Sequence, residues 1–348
     1  MFRIHNRVIG DGQPCYVIAE MSANHGQSLE KALAIVRAAK DAGADAIKLQ
    51  TYTPDTMTMD CNNEYFRIKD HPLWGGKNLY QLYQQAYTPW EWHKPLKDEA
   101  TRVGLDFFST PFDETAVDFL EDLGVPVYKV ASFELVDDLL LKKIAHTRKP
   151  VIVSTGMASL LEIEHAVGVL RENGTSEIAL LRCVSSYPAD PLGMNLRLIE
   201  DMRYRFHVVA GLSDHTINSV TAVAAVALGA NIIEKHFKLL AEDNTLDAAF
   251  SLSTTQFKNM VADIRVAEQS LGTAHYGAVK AEGAMKKYRR SLFLARDMKK
   301  GEKISRADLA IIRPGFGIMP YDLERVLGRM LVRDVERGQP LMWELVTE

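Results

Sequence analysis

Two short stretches of the chain gather side chains that can do chemistry: Gly211-Leu-Ser-Asp-His-Thr216 and Ile232-Ile-Glu-Lys-His-Phe237. Each follows an apolar run, Val208 to Leu212 and Ala230 to Ile233, that ends abruptly in ionisable residues. Between them Val220 to Leu228 is rich in Ala and Val at helical spacing and is closed by Gly229. The pattern predicts strand, helix, strand, and parallel α/β folds place their chemistry at the C-terminal ends of the strands. His215 and His236 then project from neighbouring strands into one mouth, where two imidazoles suit a divalent metal. Either histidine alone reads as an ordinary polar loop residue. Equivalent positions after two buried strands favour the metal.

The same search along the chain collects Glu20, Lys48, Gln50, Thr110, Lys129, Ser154, Ser185, Ser213 and Glu234 at the ends of apolar, strand-like runs. Lys48 and Gln50 fall on one face of such a run, because strand side chains alternate with period 2. Lys48 and Lys129 inside buried strands call for anionic partners, since a lone buried charge is expensive. Two lysines converging with several hydroxyls suit a phosphorylated anion. Any single hydroxyl here is more often a turn residue or a cap. A metal beside them can polarise a carbonyl oxygen as a Lewis acid. The residues thus point to a metal-dependent enzyme acting on a carbonyl compound and a phosphorylated partner.

The elements that must position these groups recur along the chain. Cys15 to Met21, Asp45 to Gln50, Leu105 to Pro111, Val125 to Ala131, Pro150 to Gly156 and Glu177 to Cys183 read as strands. Helices are predicted from a Ser28 cap through Ala42, and over Glu114–Leu123, Leu139–Ala145 and Leu160–Glu172. With the opening pair this makes eight βα units, which predicts an α/β fold, a (β/α)8 TIM barrel over residues 1–275. A doubly wound open sheet is the alternative, and no GxGxxG follows the first strand. Residues 51 to 93 break the rhythm with nine Tyr, Phe and Trp, and a connection this long is a lid or a satellite cluster. Residues 276–290, ending in basic Lys286-Lys-Tyr-Arg-Arg290, read as a linker. Residues 291–348, with turns every few positions, read as a small second domain.

Bulk composition excludes several classes. Hydrophobic residues make up 47% and charged residues 25% of the 348, as in globular proteins. Lys+Arg 41 against Asp+Glu 45 gives −4 with no long basic block, so neither nucleic acid nor a membrane is expected as a partner. No signal-peptide pattern or membrane-length apolar run occurs, and three scattered cysteines make no disulfide scaffold or CxxC site. A cytoplasmic setting is expected.

The motifs Ile18-Ala-Glu-Met-Ser-Ala-Asn-His25, Ile47-Lys-Leu-Gln-Thr51, Ser109-Thr-Pro-Phe112, Tyr128-Lys-Val-Ala-Ser132, Gly211–Thr216, Glu234-Lys-His-Phe237 and Arg313-Pro-Gly315 fall in the order seen in the sialic acid synthase family, which the chain resembles over nearly its whole length. Members condense phosphoenolpyruvate with an amino sugar and carry a C-terminal SAF (type III antifreeze-like) domain. The resemblance implies that His215 and His236 hold Mn²⁺ or Mg²⁺, with Co²⁺ as an alternative. It implies phosphoenolpyruvate contacts at Lys48, Thr110, Lys129, Ser154 and Ser213. Glu20, Gln50, Glu134, Tyr187 and Asp247 would surround the sugar and the metal waters, and Glu20 or Glu234 would manage protons. Arg313 would act in trans in a homodimer. Gln50-Thr-Tyr-Thr-Pro-Asp55, Ala86–His93, Arg182–Pro188 and Asp247-Ala-Ala-Phe-Ser251 are more similar to the pseudaminic acid synthase branch. Val184-Ser185 stands where N-acetylneuraminate synthases have Thr-Asn, which fits another sugar. Two rival readings are a barrel aldolase with Lys129 or Lys48 as Schiff-base lysine, and a non-catalytic sugar- or ice-binding protein.

Overall fold

The computed structural model describes residues 2–69 and 74–348. The chain divides into two compact units, Met1–Gly272 and Thr273–Glu348.

The first unit is a closed parallel barrel. Its strands are β1 (Tyr16–Glu20), β2 (Ala46–Thr51), β3 (Asp106–Pro111), β4 (Tyr128–Val130), β5 (Val151–Ser154), β6 (Ile178–Cys183), β7 (Val209–Asp214) and β8 (Ile232–Lys238), paired in sequence order. Closure comes from β8, which pairs with β7 on one side and β1 on the other. Strands covered on both faces need apolar side chains on both, and β1, β4, β5 and β8 are buried along their whole length. Helices α1 (Leu29–Asp41), α2 (His93–Val103), α3 (Glu114–Leu123), α4 (Asp138–His146), α5 (Leu160–Glu172), α6 (Leu198–Phe206), α7 (Val220–Ala227) and α8 (Thr254–Leu271) follow the strands. Their starts are written locally. Ser28, Asp113, Asp137 and Ser159 each accept a hydrogen bond from a backbone N–H of the first turn, worth about 1 kcal/mol apiece. Gly104 and Gly124 end α2 and α3 in the left-handed conformation.

Two strands run further than their apolar runs suggest. β7 continues through Ser213 and Asp214, and β8 continues through Glu234, Lys235 and His236. Asp214 and Lys235, which are register partners, make a fully buried ion pair at 2.8 Å. The pair neutralises the two charges, so charged positions remain inside the strands.

The sequence pattern did not reveal an N-terminal hairpin, Phe2–Ile4 with Arg7–Ile9. Phe2, Ile4 and Ile9 are buried against the barrel core, and the Arg3 N–H donates to Glu177 at 2.8 Å just before β6. The hairpin thereby covers the end of the barrel opposite the strand C-termini. The long connection after β2 holds a helical turn, Pro54–Met57, and a helix, Leu79–Ala86. It is tied down where it leaves and returns: Trp90 donates to the Tyr52 carbonyl at 3.1 Å, and Gln27 donates to the Tyr87 carbonyl at 2.7 Å.

In the second unit, Ser291–Leu294 pairs antiparallel with Leu309–Ile312 over a small core that includes Leu292, Met298, Ile304, Leu331 and Leu341. Within the stretch read as a linker, Lys280–Tyr288 forms a 3-10 helix that is exposed throughout.

Candidate functional site

Register assembles the site. His236 lies beside Glu20 and Glu20 beside Lys48, while Gln50 pairs with Thr110 and Ser213 with Glu234. Residues far apart in sequence therefore share one layer at the C-terminal mouth.

At the base are four buried charges. Lys48 Nζ stands 2.5 Å from Glu20 and 3.6 Å from Glu234, and Lys129 Nζ stands 3.7 Å from Glu234. Lys48 also donates to Thr110 Oγ1 at 3.0 Å, Lys129 donates to Ser154 Oγ at 2.7 Å, and Ser213 donates to Glu234 at 3.4 Å. The charges balance, as burial demands, yet desolvation still works on each one. Burial raises Glu20 above the usual carboxylate range against the pull of Lys48. It pushes Glu234 the same way, but Lys129 and Lys48 overcome it and hold Glu234 low. Burial also lowers Lys129, whereas at Lys48 the two carboxylates outweigh burial and raise it. Two carboxyls pushed in opposite directions form a pair that can divide acid–base labour. Glu20 Oε2 is met by the Lys48 ammonium, whereas Glu234 Oε2 is buried without a hydrogen-bond partner. A buried group like this needs a ligand or water.

Above this basin the imidazoles of His215 and His236 face each other, with centroids 5.3 Å apart. His215 Nδ1 meets the Val184 carbonyl at 2.8 Å, so that nitrogen carries the proton and Nε2 of the neutral ring keeps its lone pair for a metal or a hydrogen-bond donor. His236 Nδ1 is buried with no hydrogen-bond partner. Burial holds His236 far below its ordinary value, in the neutral form that binds metals, with His215 and Lys48 adding to the effect. Phe250 packs against His236 at 4.9 Å and Tyr187 against His215 at 4.4 Å. Among the described residues no third His, Cys, Asp or Glu completes a metal cluster with them.

A cavity of about 500 Å³ opens beside the imidazoles. Gln50, Glu134, Tyr187, His236 and Asp247 line its polar side. Tyr52, Met57, Leu79 and Leu82, all from the long connection after β2, line its apolar side. The aromatic-rich stretch is therefore cavity wall. Burial raises Glu134 to about 7, and one of its oxygens has no partner.

Among the residues expected from sequence, Glu20, Lys48, Gln50, Thr110, Lys129, Ser154, Ser213, His215, Glu234 and His236 are thus brought together. Glu134, Tyr187 and Asp247 line the adjoining cavity. Ser185 is not among the residues lining it, and its hydroxyl stands 4.0 Å from Cys183 Sγ. Arg313 lies in the second unit, immediately after Leu309–Ile312, in a turn held by a bond from the Gly315 N–H to the Lys287 carbonyl at 2.8 Å. Three contributors were missed. Ser22 joins Asp247 to Gln50, Ser132 accepts from the Gly156 N–H at 3.0 Å, and Phe250 backs both imidazoles. The polar run Ser22-Ala-Asn-His25 after β1 was a signal for the first. Phe250 was marked only by its place in the Asp247-Ala-Ala-Phe-Ser251 motif, because an aromatic in a loop looks like any other.

Comparison with known proteins identifies the family. The NeuB family model matches residues 35–276 and the SAF domain model matches residues 289–347. A pseudaminic acid synthase of Campylobacter jejuni is 41% identical over 94% of this chain and 95% of its own length. A pseudaminic acid synthase of Helicobacter pylori is 40% identical over 94% and 97%. An N,N'-diacetyllegionaminic acid synthase of Legionella pneumophila is 34% identical over 96% and 95%. Among solved structures, the N-acetylneuraminic acid synthetase of Leptospira borgpetersenii, determined with citrate, aligns at a TM-score of 0.73 and 30% identity, covering 82% of this chain and 94% of that one. The chain belongs to the NeuB family and carries a SAF domain at its C-terminal end.

Proposed function

We propose that this protein is a nonulosonic acid synthase that joins phosphoenolpyruvate to 2,4-diacetamido-2,4,6-trideoxy-L-altrose, giving pseudaminic acid and phosphate. The observation that carries the reading is the buried basin of Lys48, Lys129, Glu20 and Glu234 set directly below a facing imidazole pair. Its two ammoniums and the hydroxyls of Thr110, Ser154 and Ser213 match the charge and donor needs of a compact phosphorylated dianion. The partnerless Nδ1 of His236 and the free Nε2 of His215 fit a divalent ion, Mn²⁺, Mg²⁺ or Co²⁺. Such an ion supplies Lewis acidity toward the sugar's open-chain aldehyde.

The residues divide the remaining work. Lys48 and Lys129 hold phosphoenolpyruvate so that its C3 faces the aldehyde carbon in the cavity, which saves orientational entropy. As the carbon–carbon bond forms, positive charge develops at C2, and Glu234, held ionised, stabilises it. Water adds at C2, and Glu20, whose raised affinity for protons suits a base, accepts the proton. Glu20 passes that proton to the alkoxide that the aldehyde oxygen has become, and the tetrahedral intermediate expels phosphate by C–O cleavage, its C2 hydroxyl proton leaving with the phosphate to give the ketone. The apolar wall of Tyr52, Met57, Leu79 and Leu82 suits the 6-methyl of a deoxy sugar, where a hydroxyl would lack a partner. The 40–41% identity to pseudaminic acid synthases supports the same sugar.

Arg313 completes the site from the partner in a homodimer. Exposed Phe133 and Leu192, in the connections after β4 and β6, and Leu161, in the first turn of α5, support a covered face at the mouth of the barrel.

The decisive experiment offers the purified protein phosphoenolpyruvate with this sugar and with N-acetylmannosamine, side by side, and identifies products by mass spectrometry and NMR. Bridge-labelled ¹⁸O-phosphoenolpyruvate should release its label in phosphate. Faster turnover of N-acetylmannosamine, or label kept in the sugar acid, overturns the reading.

A further inference from the structure

Ser22 follows β1 directly and has φ +45°, in the left-handed region that favours glycine. Six other non-glycine residues also have positive φ among the described residues: His5, Gln27, Arg148, Met157, Asn195 and His207. All six are exposed, whereas Ser22 is buried. A buried side chain kept in a strained conformation needs a compensating contact, and such residues cluster at functional sites.

Ser22 has three. Its backbone N–H donates to Glu20 Oε1 at 3.0 Å. Its hydroxyl donates to Asp247 Oδ2 and accepts from Gln50 Nε2 at 3.0 Å. The Ala23 N–H also donates to Asp247 Oδ2, at 3.1 Å. Two donors therefore occupy Oδ2, and Oδ1 is the carboxylate oxygen left for a ligand. The hydroxyl proton is committed to Asp247, so Gln50 must turn its NH₂ toward Ser22 and its carbonyl away. Ser22, Gln50 and Asp247 all line the cavity. What the trio presents there is acceptors, Asp247 Oδ1 and Gln50 Oε1, and a complementary ligand must bring N–H or O–H donors.

We propose that Ser22 is the positioning residue for the sugar half of the site, setting Asp247 and Gln50 as paired acceptors for amide N–H or hydroxyl groups of an acetamido sugar. This inference rests on the synthase reading above. Glycine would relieve the backbone but could not make the hydroxyl bridge, so stability and function should move apart when Ser22 is replaced.

The test compares Ser22→Gly and Ser22→Ala with wild type by thermal melting and by KM for each substrate. Ser22→Gly is expected to melt at or above the wild-type temperature. Its KM for the amino sugar should rise about tenfold, while KM for phosphoenolpyruvate stays within about twofold. Ser22→Ala keeps the strain and loses the bridge, so it should show the same rise in sugar KM with a lower melting temperature. A wild-type sugar KM in Ser22→Gly, or an equal rise for both substrates, overturns the proposal. A crystal structure of Ser22→Gly separates this from failure of the synthase reading itself. Displacement of Asp247 and Gln50 there supports the positioning role whichever substrates are used, and unmoved side chains overturn it.

Discussion

At the scale of single residues, the site works by setting equal groups in unequal surroundings. Glu20 and Glu234 are chemically the same, yet burial dominates one and two ammoniums dominate the other. Glu20→Gln takes from Lys48 its nearest counter-charge, so it should lower stability by roughly 3–5 kcal/mol. It should also lose about 10²–10⁴ in kcat, together with the rising limb of the pH–rate profile that Glu20 deprotonation produces. Glu234→Gln leaves Lys129 and Lys48 short of a counter-charge. It should lower stability by roughly 3–5 kcal/mol in denaturant titrations. Glu134 makes a separate pH prediction. Its affinity for protons is raised from 4.5 to about 7, so the folded state holds a proton that the unfolded chain has already released. Its stabilising contribution is full below about pH 4.5 and is lost as pH rises through about 7. Glu134→Gln should therefore melt closer to wild type at pH 5 than its own behaviour at pH 8 implies, because only the wild type loses this increment across that interval. His236→Ala should abolish divalent-ion binding measured by calorimetry while leaving the circular dichroism spectrum intact.

At the scale of elements, most of the barrel was legible because each βα unit is specified locally. Helices Glu114–Leu123 and Leu160–Glu172 begin and end where caps and periodicity place them. Strand ends were legible where the apolar run stops with the strand. They were not where a buried ion pair, Asp214 with Lys235, lets charged residues continue it. Only pairing across strands explains that, and a single run cannot display it. The hairpin at Phe2–Ile9 escaped for a related reason: its four apolar residues are too few to set a period, and the three that are buried gain meaning only against the finished barrel. The strand layer also carries a packing constraint. Gly211 lies in register with Ile232, and a Cβ there would press into the Ile232 carbonyl. Gly211→Ala should separate β7 from β8, cost about 1–3 kcal/mol by thermal melting, and weaken metal affinity by moving His215 from His236.

At the scale of the whole molecule, the two units have separate cores. Residues 273–290 between the barrel and the first strand of the second unit are exposed throughout apart from half-buried Ala278. Limited trypsin should cut first near Lys280, Lys286 or Lys287 and release a fragment containing residues 291–348. The proposed crossover of Arg313 is tested by mixing subunits. Arg313→Ala and Lys129→Ala homodimers should be nearly inactive, and co-expressed heterodimers should recover up to about half of wild-type activity, since one site escapes both lesions. Activity that stays at the background of the two homodimers would place Arg313 in its own subunit's site. Sequence showed that a second domain exists and which turn carries Arg313, but no pattern within one chain says which copy that turn serves.

Barrel closure also sets the order in which the chain can finish folding. Tyr16 on β1 pairs with Ile232 on β8, which lies 216 positions later. At ribosomal speeds of about 5–20 residues per second, β1 waits roughly 10–40 s for that partner to emerge. Until then one edge of Tyr-Val-Ile-Ala, among the most apolar segments of the protein, is open to any other strand in the cell. Yield of soluble protein should therefore depend on synthesis rate and temperature more steeply than the melting temperature of the finished barrel suggests.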